Sequence, residues 1–543
     1  MTLGKTKTKT VTKVRFKDLT KKQINYIKKV YQDKDNLSWE KRAAKLGDEF
    51  GVSERSIRKW VSENLNLKDK KEVESEHYEM AKGKVADKTK KYFIVTWAQN
   101  NTPVHPEFFK NLLAYSEFLD AGLHVIAGRY KNPTSVFTDE EQDFWVDDVL
   151  PYLDANRHNI HQYISVMSDI KIQPTAVNPM SGMKSISGIN SCIFGNPKVQ
   201  MEMIPVLKNN YPKKMLTTGA VTLKNYTDSK SGKIGEHHHT FGFVIVEIKD
   251  DKIFYSRQVT ADDDTGSFTD LYFRVENCEV KRINTCEGLI MGDIHFGQHD
   301  EQVFNKTFEL TNIIKPKHVV LHDVFDGTSI NHHEMKNAFI QFAKDAKNTN
   351  SIQKELDELI VGLKNFEQFE NVVIVRGNHD DFIDRWLANE DWKKQPTPKN
   401  SLAYMEFSAM LLKQHVNSED GVVGILPEII NKHYPKFVCL NINDSYRVKN
   451  WELGQHGNNG VNGSRGTFLQ FRGLNTKIVI GHTHTPQRKD GALCVGTTTK
   501  LRMGYNNGAS SWLHSHVIIH NDGKAQHIDF ISGGYTTFED LIK

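Results

Sequence analysis

Gly288-Leu-Ile-Met-Gly-Asp-Ile-His295 is a short apolar run that ends in a carboxylate and an imidazole two residues apart. The design returns three times. His318-Val-Val-Leu321 leads to His322-Asp323-Val324-Phe325-Asp326-Gly327, and Val372-Val-Ile-Val375 leads to Arg376-Gly377-Asn378-His379-Asp380. Thr476-Lys-Ile-Val-Ile480 leads to Gly481-His482-Thr483-His484, and Gln455-His456-Gly457 follows a strand-like segment, Tyr446–Leu453. Runs of this kind read as buried strands, and residues 301–314 and 351–367 between them read as helices. Strand–helix alternation predicts an α/β sheet whose strand C-terminal ends gather in one place. In Asp293-x-His295 and His482-x-His484, positions i and i+2 of an extended chain point the same way, so each pair reaches one metal region. One histidine after a strand is more often structural than a ligand. The ordered series of Asp-x-His, Asn-His-Asp and Gly-His-x-His points to a metal site.

In this order the motifs resemble the calcineurin-like metallophosphoesterase family, whose signature is DxH, GDxx(D/N), GNH(D/E), an isolated His and GHxH. The resemblance covers residues 286–490, with strand-rich sequence continuing to about 532. It implies an α/β/β/α sandwich that hydrolyses phosphoesters with two divalent metal ions. Carried over by position, Asp293, His295, Asp323 and His484 would hold the first ion. Asp323 would bridge to the second, completed by Asn378, His456 and His482. Oxygen and nitrogen donors without thiolate suit manganese, with iron or zinc as alternatives. Two such ions about 3.5–4 Å apart acidify a bridging water and clamp the attacking and leaving oxygens of a phosphoester. The resemblance makes His379 the general acid, with Asp380 to orient it. One departure is His322, where the family writes glycine before the bridging aspartate; a negative φ there would accommodate it.

The family's Ser/Thr phosphatases carry GDxVDRG, whereas no arginine follows Asp326 here. Asp323-Val-Phe-Asp326 is closer to the SbcD-type DNA-repair nucleases of the family. The long chain with its Lys-rich ends also looks similar to DNA-degradation proteins of large tailed phages. The expected activity is therefore DNA phosphodiester hydrolysis. The alternatives are a phosphatase or nucleotide phosphodiesterase with a regulatory N-terminal module, and a DNA-binding regulator with an inactive phosphoesterase half. Asn331, His332, His333 and Glu334 read either as support for the site or as a solvated helix start. Arg385 reads as a phosphate contact or a surface ion pair.

The composition fits this picture. A chain of 543 residues with 38% apolar and 25% charged residues is globular and long enough for about three domains. It has no uncharged apolar run of about 18 residues and no apolar signal core, which excludes membrane and secretory readings and predicts a cytoplasmic protein, in the host cytoplasm if phage-encoded. Five scattered cysteines without a CxxC pair fit a reducing compartment. The net charge of +4 hides an asymmetry. Residues 1–90 carry 24 Lys and Arg against 14 Asp and Glu, a balance of +10, and the remainder carries 47 against 53, or −6.

The basic end reads as a DNA-binding unit. Lys5, Lys7, Lys9, Lys13, Arg15 and Lys17 form a tail with no acid among them. Ile24, Ile27 and Tyr31 recur at helical spacing, and Leu46 and Phe50 face inward from a second helix. Gly51 supplies a turn with positive φ, Ser53 an N-cap, and Ile57, Trp60 and Val61 the inward face of a third helix. This resembles the helix-turn-helix family, which places Arg55, Ser56, Arg58 and Lys59 on DNA; the competing reading is a protein-docking module. The expected organisation is a tail and helix-turn-helix over 1–67, a charged linker over 68–90, an α+β accessory domain over 91–283 and the metallophosphoesterase over 284–543. In the accessory region, strands over 91–100 and 123–127 flank a helix over 106–121, and strands over 243–248 and 253–259 form a hairpin. His237-His238-His239 on a strand would alternate faces and so not converge on a metal. Asp262-Asp263-Asp264 reads as a solvated turn. DNA is the expected partner, no membrane is expected, and homo-oligomerisation is left open.

Overall fold

The computed structural model describes residues 19–32, 39–53, 56–57, 60–61, 77–78, 80–132, 134, 144–207, 210–394, 397–417 and 422–542. Cys286–Ile290, Pro316–His322, Asn371–Val375 and Val438–Leu440 pair in parallel as neighbours in a six-stranded sheet. Ser515–Ile519 pairs antiparallel with Cys286–Ile290, and Ala525–Asp529 closes the edge. Lys477–Ile480 belongs elsewhere, to a ten-stranded sheet, so the four motif-bearing strands are shared between two sheets.

Strict alternation along the strands builds the layers. Ile290, Val320, Val373 and Val517 face inward onto Val448, Trp451, Val479 and Leu493 of the ten-stranded sheet. Leu289, Val319, Val372 and Ile518 face outward and are covered by helices. Glu301–Ile314 is capped by Asp300, whose carboxylate accepts from the Gln302 and Val303 amides. Ile352–Leu363 buries Ile352, Leu356, Leu359 and Leu363 on one face, and residues 364–366 continue it as a 3-10 turn. On the far side Phe468 and Phe471 cover Ile478 and Ile480. This is the expected α/β/β/α sandwich. The segment Tyr446–Leu453 is a tight hairpin rather than one strand: Arg447–Val448 and Trp451–Glu452 pair around Lys449, which has φ 55°.

In the region before residue 284, Tyr92–Gln99 and Gly122–Gly128 pair in parallel across the helix Pro106–Phe118, and Gly242–Ile248 with Phe254–Thr260 makes the hairpin. Five more strands, between Arg157 and Thr217, extend the ten-stranded sheet. One buried core runs from Ala81 to Phe538. The buried ion pair of Lys214 with Asp529 ties the two regions, as do hydrogen bonds from Thr536 to the Glu247 carboxylate. Ala86, in the stretch read as linker, is also buried. The histidine triplet lies at the end of the helix Lys230–His238 and not on a strand. His239 there is held by Tyr226 Oη and Thr222 O. Asp262 Oδ1 accepts from the Asp264 and Thr265 amides and closes its turn.

At the basic end, Lys21–Gln32 and Trp39–Phe50 are helices, and Ile27, Leu46, Phe50, Ile57 and Val61 share one apolar cluster. Gly51 has φ 63°, and Ser53 Oγ accepts from the Ser56 amide. Arg55, Arg58 and Lys59 lie outside the described residues. The five cysteines are free thiols.

Several buried histidines tie stability to pH. His516 accepts from the Gly292 amide at Nδ1, so its Nε2–H donates to Thr307 Oγ1. Burial pushes His516 and His239 down to about 3 and His527 to about 4. Unfolded, these rings take protons near 6.5; folded, they refuse them until the lower values. The unfolded state binds more protons throughout that window, so stability falls as pH drops through it. Urea unfolding should show a lower free energy at about pH 5 than at about pH 7; equal values would mean that the folded rings accept protons.

Candidate metal centre

The ligand-bearing residues lie just beyond their strands, where the chain turns back. His295, Asp323, His482 and His484 adopt φ of 47°, 46°, 72° and 55°. These left-handed conformations are costly for residues with side chains and persist where the surroundings impose them. The pairs Asp293/His295 and His482/His484 converge through these turns rather than through the pleat of a strand. His322 ends its strand without a positive φ, so its side chain is accommodated where the family has glycine.

Two glycines let the loops close. A methyl group at Gly377 would collide with Asp323 Oδ1, and one at Gly481 with Asp293 Oδ1 and the His322 ring. Within the space they leave, His484 Nε2 is 2.9 Å from Asp293 Oδ2. His295 Nε2 and His456 Nε2 each lie 3.5 Å from Asp323 Oδ2. His482 donates its amide to Asp293 and meets Asn378 Oδ1 at 2.8 Å through Nδ1. All seven expected ligands are thus neighbours. Asp293/His295/His484 and Asp293/Asp323/His456 each bring three donor atoms within 4.8 Å of one another.

The donor chemistry fits divalent cations. Nε2 of His295 and of His456 is buried with no hydrogen-bond partner, an arrangement that bound cations satisfy. The electrostatics are those of a compact charge cluster. Burial works against ionising Asp293, but the His456 and His484 imidazoles outweigh it and hold its carboxyl well below the usual range. Burial pushes Asp323 strongly up, with Asp380 and Asp293 adding to the effect. His295 is pushed up to about 9 because Asp323 and Asp326 outweigh its burial. Burial takes His322 down to about 4, and its Nδ1 sits 3.4 Å from His456 Nδ1.

His379 borders the cluster. Its Nδ1–H donates to Asp326 O at 2.7 Å, and its ring stacks on Phe382 at 4.5 Å. Burial and the neighbouring His295 push it down to about 3. Asp380 binds elsewhere: its carboxylate accepts from Gly377 N and Phe325 N and so joins the second and third motif loops. The orientation of His379 comes from Asp326, whose carboxylate also receives His295 Nδ1 at 3.1 Å. Asp326 carries no role in the sequence reading, although its place in the second motif was the available signal. Arg385 is half exposed and pairs with Asp381 at 3.7 Å, and Glu334 pairs with Lys344 at 2.6 Å. A cleft of about 530 Å³ opens beside His379, lined by Phe339, Lys347, Lys500, Arg502 and Tyr505. No sequence signal marks these wall residues, because loops distant along the chain supply them.

A layered α/β/β/α core with clustered Asp and His side chains at its strand ends defines a metal-dependent phosphoesterase. Residues 289–518 match the calcineurin-like phosphoesterase family, and the chain belongs to that family. Across 479 residues it is 31% identical to Protein A1 of Escherichia phage T5, an alignment covering 82% of this chain and 83% of that protein. Among the described residues no helix is long and apolar enough to cross a membrane.

The glycine contacts generate a test. Gly377→Ala should lower metal affinity about 10–100-fold by displacing Asp323, measured by Mn²⁺ titration calorimetry on protein with an unchanged circular dichroism spectrum. Undiminished affinity would show that the close approach is not needed.

Proposed function

We propose that the chain is a two-metal DNA nuclease that hydrolyses phosphodiester bonds, with manganese as its working ion. The observation that carries the reading is the cleft beside His379, which joins cations to an aromatic surface next to the metal ligands. Lys500 and Arg502 supply positive charge, and Tyr505 lies half exposed with its ring 6.3 Å from that of His379. Phosphate neutralisation together with base stacking is how a polynucleotide is gripped without reading its sequence. The basic excess of residues 1–90 favours the same partner. A similar protein from a phage favours a site of action in an infected host's cytoplasm.

Asp293, His295 and His484 would hold one ion, Asn378, His456 and His482 the other, and Asp323 both. When bound, the pair supplies an acidified water and neutralises phosphate charge. The protein's own contribution is positioning. The Asp326 carbonyl fixes Nδ1 of His379 and leaves Nε2 free for a bound phosphoester. Burial and His295 keep the ring neutral when no substrate is bound; with a phosphate anion against it, Nε2 takes a proton from solvent water and passes that proton to the leaving oxygen. Asp380 acts at one remove by holding two ligand loops in register.

With Mn²⁺ the purified chain should cut end-labelled duplex DNA, and chelator should stop it; efficient turnover of a phosphopeptide without DNA cleavage would refute the reading. His379→Ala should keep its metal and lose about 10²–10⁴ in rate, whereas His482→Ala should lose metal and rate together. Tyr505→Ala should raise KM for DNA about tenfold, the loss of one stacked base, and leave hydrolysis of bis(p-nitrophenyl) phosphate unchanged. Deleting residues 1–67 should weaken DNA binding and its salt dependence; unchanged affinity would make that end a protein-docking element.

A further inference from the structure

The region before residue 284 repeats the strand framework and first helix of the catalytic half, with five strands in its sheet against six. In each, a first strand pairs in parallel with the next and antiparallel with a late strand, which is itself antiparallel to the last. The series are Tyr92–Gln99, Gly122–Gly128, Gly242–Ile248, Phe254–Thr260 and Cys286–Ile290, Pro316–His322, Ser515–Ile519, Ala525–Asp529. The first helix of each follows at the same place, Pro106–Phe118 and Glu301–Ile314, capped by His105 and Asp300. The irregular contacts repeat too. The isolated bridge Val104–Thr222 corresponds to His299–Thr499, and Ala220–Phe241 to Thr497–His514. In the ten-stranded sheet, the pairing pattern reads the same from either end. At its centre Met201 pairs with Arg488. Met201 faces Leu216 as Arg488 faces Leu493, so the central pair joins a residue to its own counterpart. That is the signature of a two-fold interface, here within one chain.

The same correspondence locates the lost ligands. Thr498 N bonds to Asp293 O as Val221 N bonds to Trp97 O. Where Gly481 abuts Asp293 and His322, Gly195 abuts Trp97 and Ile126. An indole thus fills the place of Asp293. Strand register puts Ala127 at the position of Asp323, and the residues after Gly195 put Asn196 and Lys198 at those of His482 and His484. A methyl, an indole and an ammonium group cannot hold a divalent pair.

Between the sheets of this region lies a different cluster. Register pairs His124 and Asp154 with the positions of Val320 and Val375, which are plain core valines in the catalytic half. His124 Nδ1 is 2.9 Å and His158 Nε2 is 3.5 Å from Asp154 Oδ2, the spacings seen between imidazole and carboxylate in the catalytic cluster. Their donor atoms lie within 4.8 Å of one another. Nδ1–H of His158 donates to Asn156 O at 3.1 Å, which leaves the lone pair of Nε2 toward Asp154. That Nε2 is buried with no hydrogen-bond partner, on a side chain only 9% exposed. A lone pair aimed at a buried carboxylate is unfavourable unless a cation lies between them.

We infer that residues 92–260 are a second phosphoesterase-fold unit that has lost the catalytic metal pair and holds one structural zinc ion on His124, Asp154 and His158. Two imidazoles and a carboxylate are a three-residue zinc set that leaves the fourth tetrahedral position to a water molecule. The ion would pin the strand Gly122–Gly128 to the edge strand Arg157–His161, and so one sheet to the other. The unit itself occupies the place of a second subunit, which gives the catalytic half a partner for its sheet edge.

Zinc counting tests this on the full-length chain, loaded with excess Zn²⁺, dialysed against metal-free buffer and measured by atomic emission. His158→Gln should carry one equivalent fewer than the unsubstituted chain and retain hydrolysis of a small phosphodiester. Equal zinc in the two proteins would overturn the structural site. More than three equivalents in the unsubstituted chain would overturn the loss of the second catalytic centre. If His158→Gln fails to fold, His124→Gln is read in the same way.

Discussion

Two carboxylates, Asp293 and Asp323, are buried almost completely and close together, and the surrounding structure is organised by that fact. Buried charge of one sign is strongly unfavourable without compensation. The compensation is local and dense. His482 and His379 donate backbone amides, His295, His456 and His484 crowd the carboxylates, and Nε2 of His295 and of His456 is buried without a hydrogen-bond partner. Such a cluster is stable as a binding site for cations and poorly stable as anything else. The left-handed turns and the methyl-free glycines exist to bring it together.

The cluster also needs a frame that holds four loops in register. Asp380 ties two of them, and His516 fixes Gly292 just before Asp293. Behind the loops, valine and isoleucine pack two sheets face to face. The sheet that carries His482 and His484 would end in an open edge at Gln487–Lys489, an invitation to unwanted pairing. Strands from the first half of the chain close it, and the central pair Met201–Arg488 makes the closure symmetric. The region without a recognisable motif is in this way part of the same scaffold.

Much of the catalytic half was legible in the sequence because its signals are local. Each apolar run with its polar end reports a buried strand and the loop after it, and all seven proposed ligands sit in such loops. Legibility failed where a residue's role depends on contacts across the chain. Asp380 stands next to His379 in sequence, yet Asp326 carbonyl orients that ring. His237-His238-His239 looked like strand residues and close a helix instead.

Strand periodicity, motif order and the charge asymmetry were determined by the sequence alone, since each follows from neighbours a few residues apart. The tertiary structure decided that the motif strands divide between two sheets and that the first half mirrors the second. It also decided that His124, Asp154 and His158 meet. Sheet pairing joins residues hundreds of positions apart by backbone hydrogen bonds that are indifferent to side-chain identity. A duplicated fold whose ligands have become Trp97, Ala127 and Lys198 leaves its trace in the backbone register, where no motif records it.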